Sequence, residues 1–284
     1  MREVATRAAL RAWREAQRRA GRRVGLVPTM GFLHEGHLAL VDEARRRADA
    51  VAMSIFVNPL QFGPAEDFTR YPRDLARDRA LAAGRGVDLL FVPSPEEMYP
   101  GGEPATRVVP GEAATRLEGA LRPGHFAGVL TVVAKLFHLA EPDVACFGQK
   151  DIQQALLLRA MVRDLDWPLE LVVVPTVREA DGLACSSRNV YLAPDERAQA
   201  VGLWEALRAA ADRYHAGERR AEALVAAMRA AIAARPLLAV DYIAVVEPDG
   251  LSAVDVARDG CVAAVAARVG RTRLIDNLIL GAGP

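Results

Sequence analysis

Residues 24–48 read VGLVPTMGFLHEGHLALVDEARRRA, and this stretch predicts the fold. It opens on a short apolar run, Val24–Val27, which ends at Pro28. A loop with glycines follows, and Gly36–Ala48 then shows apolar residues at helical spacing. A buried strand, a loop and a helix form the first half of a β-α-β unit, so this stretch predicts a parallel sheet.

The same alternation of short apolar runs and helical patterns continues to about residue 175. The further predicted strands are Val51–Val57, Asp88–Val92, Val144–Phe147 and Leu169–Val174. The further predicted helices are Pro72–Ala83, Gly128–Leu139 and Ile152–Arg163. Continuous apolar strands between helices predict a doubly wound, Rossmann-like α/β sheet that is covered on both faces. Ligands of such sheets bind at the carboxyl ends of the strands, so the loops there are the candidate sites.

The last third of the chain has a different pattern. The predicted elements are helices at Pro194–Arg213 and Ala221–Arg235, followed by strands at Val240–Val246, Cys261–Arg268 and Thr272–Ile279. Helices followed by consecutive strands predict a smaller α+β domain. The sequence therefore predicts two domains, a Rossmann-like domain over 1–176 and an α+β domain over 177–284.

The composition is that of an ordinary globular protein. The 284 residues are 51% apolar and 25% charged, which excludes intrinsic disorder and collagen-like structure. The 36 basic and 36 acidic residues balance, so no overall positive field attracts nucleic acid. Three cysteines without paired spacing exclude a disulfide scaffold. No targeting signal is evident and no apolar run approaches the roughly 20 residues that span a bilayer, so we expect a soluble cytoplasmic protein.

The loop after the first predicted strand carries two histidines. His34 and His37 are three residues apart, and Gly31 and Gly36 lie close to them. On the first turn of a helix the two imidazoles lie on one face, beside backbone N–H groups that attract an anion. Three interpretations remain open for these histidines: a phosphate site, a helix cap, or a zinc pair that lacks an obvious third ligand.

Lysine is rare in this chain. Of the 36 basic residues 34 are arginine, and the two lysines are Lys135 and Lys150. Lys150 comes just after a predicted strand at the start of a helix, where a compact ammonium group can reach a phosphate. The alternative is a solvated surface lysine. Lys135 lies within an apolar helical pattern, which favours a packed stem with its charge in water.

Two more loops carry polar side chains at such positions. Asn58 and Gln61 follow the second predicted strand, where they either bind a carboxylate or hydroxyl or only shape a turn. A hairpin turn is predicted at Asp181-Gly182, and the hydroxyls and guanidinium of 185–189 beyond it suit phosphate oxygens. The alternative for 185–189 is an exposed polar loop. The weaker candidates are Tyr71 and Arg122–Phe126.

Five motifs occur along the chain in the order PTMGxLHxGH, FVNPxQF, RPGHF, FGxKDxQQ and SSRN. Together they resemble the pantothenate synthetase (pantoate–β-alanine ligase) family, within the nucleotidyltransferase superfamily that shares the His-x-Gly-His motif. The resemblance extends from about Val24 to Leu192. Cys185 stands where this family more often has Leu or Met, and Gln149 occupies a variable position.

The resemblance implies an ATP-dependent condensation of (R)-pantoate with β-alanine through a pantoyl-adenylate, with AMP and pyrophosphate released. It implies Mg²⁺ with the ATP, a homodimer and a C-terminal domain that acts as a lid, and we expect no nucleic-acid or membrane partner. The implied catalytic residues are His37, His34, Lys150 and Arg188. The implied ATP-binding residues are Met30, Gly31, Phe32, Leu33, His34, Glu35, Gly36, His37, Gly148, Gln149, Lys150, Asp151, Val177, Cys185, Ser186, Ser187 and Arg188. The implied substrate-binding residues are Gln61, Gln154 and Asn58; no metal ligand is assigned.

Three other functions remain open on the residues alone. One is another nucleotidyltransferase, but a phosphorylated acceptor calls for more cations than Asn58, Gln61 and Gln154 provide. Another is a nucleotide-binding protein without catalysis, since a fold does not determine a function. The intact histidines and Lys150 argue against it. The last is RNA binding through the arginine-rich N-terminal helix, which the charge balance disfavours.

Overall fold

The computed structural model describes residues 1–64 and 66–282. These residues form two compact units. The first comprises Met1–Gly148 and Leu157–Pro175, and the second comprises Gln149–Leu156 and the described chain from Thr176 onward. The chain therefore passes between the units at three places. The division into domains at 176/177 stays a prediction, and it differs from these units in where it places Gln149–Leu156 and Thr176.

A six-stranded parallel sheet forms the centre of the first unit. Its strands are β1 (Arg2–Val4), β2 (Val24–Thr29), β3 (Ala50–Ile55), β4 (Leu89–Phe91), β5 (Val144–Gly148) and β6 (Glu170–Val174). They lie in the order β1-β4-β3-β2-β5-β6, and every neighbouring pair is parallel. The chain order reverses between β2 and β5, and such a switch point is where open α/β sheets bind ligands. The predicted doubly wound α/β sheet is confirmed.

Helices connect these strands and bury both faces of the sheet. They are α1 (Arg7–Arg19), α2 (Glu35–Arg47), α3 (Leu75–Gly84), α4 (Pro95–Met98), α5 (Glu118–Leu121), α6 (His125–Ala140) and α7 (Ile152–Asp164). Leu26 and Val27 are neighbours in β2, yet they belong to different apolar clusters. Leu26 shares its cluster with residues of α1 and α6, whereas Val27 shares one with residues of α2 and α3. Because successive strand residues point to opposite faces, each cluster covers one face of the sheet.

Besides the first residues of α7, the described part of the second unit forms a three-stranded antiparallel sheet and three α-helices. The strands, in spatial order, are β7 (Leu238–Val246), β8 (Val262–Val269) and β9 (Thr272–Ile279). The helices are α8 (Pro194–Ala200), α9 (Gly202–His215) and α10 (Ala221–Ala233). Side chains from these elements, such as Leu207, Met228 and Val265, share one buried apolar cluster. The predicted smaller α+β arrangement is confirmed.

The structure departs from the predicted elements in a few places. The sequence pattern does not reveal β1, because a strand of three residues with two adjacent charges shows no alternation. The predicted helix Pro194–Arg213 is wrong as a single helix. It is two helices that meet at Val201, where Gly202 lies too close to Arg235 and Leu238 to accept a Cβ atom. Among the described residues, no helix is long and apolar enough to cross a membrane.

Candidate functional site

The loop between β2 and α2 makes a sharp turn that a buried carboxylate supports. Gly31 and Phe32 have positive φ angles of 82° and 49°, a conformation that glycine tolerates best. Asp78 in α3 is buried and accepts hydrogen bonds from the backbone N–H groups of Phe32 and Leu33, both at 2.7 Å. These bonds satisfy two amides of the loop and stabilise its turn. Asp78 is not recognisable from the sequence, where its signal is an acidic residue on the buried face of α3.

His34 and His37 cap the N-terminus of α2 with their side chains. Nδ1 of His34 accepts a hydrogen bond from the N–H of Gly36 at 3.1 Å, and Nδ1 of His37 accepts one from the N–H of His34 at 3.3 Å. Because Nδ1 is the acceptor in both rings, the neutral imidazoles carry their protons on Nε2. The ring centroids are 4.0 Å apart. The predicted helix cap is therefore present, and it provides two Nε2–H donors where the helix dipole favours an anion.

Asn58 orients the side chain of Gln61 at the carboxyl end of β3. Asn58 is buried, and its Nδ2 donates to Oε1 of Gln61 at 3.0 Å and to the carbonyl of Gly128 at 3.2 Å. Its Oδ1 accepts from the hydroxyl of Tyr99 at 2.8 Å. This leaves Nε2 of Gln61 beside Sδ of Met30 at 3.2 Å. A thioether is a weak acceptor, so a carboxylate can take its place.

A second set of contacts holds the backbone of Gln61. Nδ1 of His125 donates to the carbonyl of Gln61 at 2.8 Å, and Nε2 of His125 accepts from Arg122 at 3.1 Å. Arg122 also forms a bidentate ion pair with Glu66, at 2.8 and 2.6 Å. Burial, followed by the charge of Arg122, lowers the pKa of His125 to about 4. The ring is therefore neutral near pH 7, and the candidate segment Arg122–Phe126 lies against Gln61.

In the second unit, Lys150 lies in a 3₁₀ turn of three residues that β9 holds in place. Nδ2 of Asn277 in β9 donates to the carbonyls of Gln149 at 2.9 Å and Lys150 at 3.0 Å. Nε2 of Gln149 donates to Oδ1 of Asn277 at 3.2 Å. Asn277 lies 127 residues after Lys150, so no local spacing identifies it. The available signal is a polar Asp-Asn pair flanked on each side by two apolar residues of the strand.

The predicted hairpin turn at Asp181-Gly182 is present in the second unit. Arg178 and Ala184 form an antiparallel bridge, and Gly182 has a φ of 97°. The N–H of Cys185 donates to the carbonyl of Val177 at 2.9 Å. The hairpin therefore brings together Val177 and Cys185, two of the predicted ATP-binding residues.

The segment that follows the hairpin is folded back and partly buried, so the alternative of an exposed polar loop is wrong. Ser186 caps the 3₁₀ helix Ser187–Tyr191, since its hydroxyl accepts from the N–H of Arg188 at 3.2 Å. Nδ2 of Asn189 donates to Glu179 at 2.9 Å. Ser187 is buried, and Ser186 and Arg188 are half-buried.

Some predicted or candidate residues have other contacts. Glu35 is exposed and forms an ion pair with Arg85 at 2.7 Å. Tyr71 is buried, with its ring centroid 6.0 Å from that of Phe62. Nζ of Lys135 lies 5.5 Å from the ring centroid of Tyr99.

The predicted site residues divide between the two units, and each set is described within its own unit. The first unit holds Met30, Gly31, Phe32, Leu33, His34, Glu35, Gly36, His37, Asn58, Gln61 and Gly148. The second holds Gln149, Lys150, Asp151, Gln154, Val177, Cys185, Ser186, Ser187 and Arg188.

Comparison with known protein families agrees with the five motifs. The family described as pantoate-beta-alanine ligase matches residues 2–279. The chain belongs to the pantoate–β-alanine ligase family. The resemblance that the motifs indicate is thus confirmed.

Relatives in this ligase family extend over nearly the whole chain. The pantothenate synthetase of Chloroflexus aurantiacus is 57% identical over 258 residues, which are 90% of this chain and 92% of that protein. The pantothenate synthetase of Moorella thermoacetica is 54% identical over 275 residues, which are 97% of each protein.

Solved structures of pantoate–β-alanine ligases share the fold. The crystal structure of the pantothenate synthetase from Thermus thermophilus is 54% identical, with a TM-score of 0.93 over 98% of this chain and 99% of that one. The enzyme from Francisella tularensis is 33% identical, with a TM-score of 0.82 over 100% of this chain and 99% of that one. The Francisella structure is a complex with β-γ ATP and β-alanine.

Proposed function

We propose that this ligase condenses (R)-pantoate with β-alanine, using ATP and releasing pantothenate, AMP and pyrophosphate. A carboxylate is a poor acyl donor because its oxygen is a poor leaving group. In the first step a pantoate carboxylate oxygen attacks the α-phosphorus, and the bond from that phosphorus to pyrophosphate breaks. In the second step the amine of β-alanine attacks the acyl carbon of the pantoyl-adenylate, AMP leaves, and the amine loses its proton to solvent.

The observation that carries this proposal is the pair of histidines that caps α2. The first step gathers the negative charge of a carboxylate and a triphosphate, so catalysis consists mainly of positioning and charge stabilisation. Two Nε2–H donors at a helix N-terminus suit phosphate oxygens. We assign His34 and His37 as donors to the phosphates, with His37 as the proton donor. The rest of the loop, Met30–Leu33 with Glu35 and Gly36, forms part of the ATP site.

Apart from Gly148, which belongs to the first unit, the other proposed ATP-binding groups come from the second unit. Lys150 neutralises phosphate charge, and Ser186, Ser187 and Arg188 bind the β- and γ-phosphates, because hydroxyl and guanidinium donors fit phosphate oxygens. The residues proposed to border the nucleotide are Gly148, Gln149, Asp151, Val177 and Cys185.

Gln61 and Gln154 are the proposed pantoate ligands, and Gln61 also serves the β-alanine site. The neutral surroundings of the Gln61 side chain support a carboxylate or hydroxyl ligand, since its contacts are Asn58 and a thioether. The nearby guanidinium of Arg122 is already paired with Glu66. A phosphorylated acceptor, as in other nucleotidyltransferases, calls for an unpaired cation here. Direct contact of Asn58 with substrate stays a prediction.

Mg²⁺ enters the proposal only as the ion that accompanies ATP. The described residues contain no group of three or more His, Cys, Asp or Glu side chains that could hold a metal ion. Mg²⁺ in nucleotide sites keeps several waters and phosphate oxygens as ligands, so it does not require such a group. We therefore assign it no protein ligand and derive no step through it. A homodimer, a lid role for the C-terminal domain and a cytoplasmic location complete the proposal.

Exchange of labelled pyrophosphate into ATP tests the first step. We expect exchange with (R)-pantoate, without any need for β-alanine, and none with unrelated carboxylates. The pantoate requirement follows because pyrophosphate is released only when the carboxylate attacks the α-phosphorus. Equal exchange in the absence of pantoate would contradict the proposal.

A further inference from the structure

The backbone turn that carries the Lys150 side chain is held only weakly by its own hydrogen bonds. The residues Gln149–Asp151 form a single 3₁₀ turn between β5 and α7. Hydrogen bonds in such short turns have poor geometry, and a lysine side chain has a flexible four-carbon stem. The chemistry proposed for Lys150 needs its ammonium at a defined place, so something outside the turn must fix the backbone.

Asn277 makes that connection with all of its side-chain polar atoms. Its Nδ2 donates to the carbonyls of both Gln149 and Lys150, and its Oδ1 accepts from the Gln149 side chain. Asn277 is 1% exposed, so water does not compete for these bonds. Its backbone lies in β9, opposite Ala264 of β8. The turn is therefore attached to the antiparallel sheet of the second unit.

The position of Asn277 is itself fixed by an ion pair next to it. The buried carboxylate of Asp276 accepts from the N–H of Asn277 at 2.8 Å and from both ends of the Arg178 guanidinium, at 2.6 and 3.0 Å. That guanidinium stacks on Trp204, with its carbon 3.8 Å from the ring centroid. Burial raises the pKa of Asp276, whereas Arg178, and to a smaller extent Lys150, counteract that rise. The Lys150 charge is thus close enough to act on the carboxylate beside Asn277.

We propose that Asn277 is a positioning residue for Lys150. Its two amide hydrogen bonds to the turn Gln149–Asp151, called the lysine turn below, set where the ammonium meets the phosphates of ATP. This inference rests on the proposed function through the role given to Lys150. Asn277 itself contacts no substrate in this proposal.

A double-mutant cycle on ATP binding tests the proposal. Calorimetry gives the dissociation constant of a non-hydrolysable ATP analogue for the unaltered chain, Asn277→Ala, Lys150→Ala and the double variant. We expect Asn277→Ala to weaken binding about tenfold, within the range in which contacting residues couple. In the Lys150→Ala background the same substitution should change binding less than about twofold, because its effect passes through the lysine.

Two further variants separate positioning from general damage to the second unit. Asn277→Asp is nearly isosteric but loses both donors, so it should weaken binding at least as much as Asn277→Ala. Tyr214→Phe removes a 2.6 Å hydrogen bond to Asp259 in the same unit, far along the chain from the lysine turn. It should lower the unfolding midpoint without changing analogue binding.

The outcomes distinguish this inference from the proposed function. Equal losses from Asn277→Ala in both backgrounds, or unchanged binding in Asn277→Ala, would overturn the positioning role alone. Pyrophosphate exchange without pantoate would overturn the proposed function and leave the binding cycle interpretable. Failure of the unaltered chain to bind the analogue would overturn both.

Discussion

His125 carries its proton on Nδ1 because each of its ring nitrogens faces a fixed partner. The Gln61 carbonyl can only accept and the Arg122 guanidinium can only donate, so the ring must be neutral to satisfy both. Protonation would place an N–H against the guanidinium. The folded-state pKa of about 4 lies below the ordinary value of 6.5. Between these values the unfolded chain binds more protons than the folded one, so stability falls as the pH falls through this window.

Replacement of His125 by Asn removes this titration. We expect the free energy of unfolding of the unaltered chain to decrease more steeply between about pH 6.5 and about pH 4 than that of His125→Asn, as measured by urea unfolding. His138→Asn is the matched control, since His138 is an exposed histidine on the same helix. It should retain the slope of the unaltered chain. Parallel curves for the unaltered chain and His125→Asn would argue against a neutral buried ring.

We expect the function of residue 150 to depend on the shape of its cationic group as well as on its charge. A guanidinium is larger and planar, so it does not occupy the place of a compact ammonium in a fixed turn. We expect Lys150→Arg to reduce pyrophosphate exchange nearly as much as Lys150→Ala. Lys135→Arg, at the other lysine of the chain, should leave exchange close to normal. Near-normal exchange in Lys150→Arg would show that only the charge matters.

At the scale of elements, α6 fixes the position of the turn Pro59–Gln61, called the Gln61 turn below. Gly128 lies in the first turns of this helix, and a Cβ atom there would overlap the backbone carbonyl of Leu60 and crowd the N–H of Gln61. The carbonyl of Gly128 also accepts from Asn58. The close approach of helix and turn therefore favours glycine at this position, although glycine weakens a helix interior by about 1 kcal/mol relative to alanine.

Gly128→Ala should displace the Gln61 turn. We expect an unfolding free energy lower by about 1–3 kcal/mol, as for other overpacked sites, and a raised KM for pantoate in the exchange assay. Gly84→Ala is the matched control, because Gly84 ends α3 with open space where its Cβ would lie. Gly84→Ala should neither lower the unfolding free energy nor raise the KM for pantoate. A normal pantoate KM in a folded Gly128→Ala variant would separate α6 from the substrate site.

For the whole molecule, the sheet was predictable from sequence because buried parallel strands appear as continuous apolar runs. The helix boundaries of α2 and α7 also follow from periodicity, within a few residues. The strand β1 and the short helices α4 and α5 were not predictable, since elements of three or four residues contain little more than one period of a pattern. These short elements depend on tertiary contacts rather than on local preference.

The candidate site was predictable only where its residues form local motifs. His34 and His37 are recognisable because a cap and the two glycines beside it fit within one loop. Asp78 and Asn277 act on backbone 45 and 127 residues away, respectively, and no spacing rule reaches that far. Residues that hold a site in place are thus harder to find from one sequence than residues that contact the ligand.

The chain passes between the two units three times, and this limits how genes of this family can recombine. A hybrid made by recombination at residue 175 between the genes of two relatives would pair the lysine turn of one parent with the strand β9, which carries Asn277, of the other. The hybrid would keep the contact only if one parent supplies Lys150 and the other supplies Asn277, with matching local backbone. No single crossover point therefore separates the sequence of one unit from that of the other, even though the folded molecule divides into two compact units.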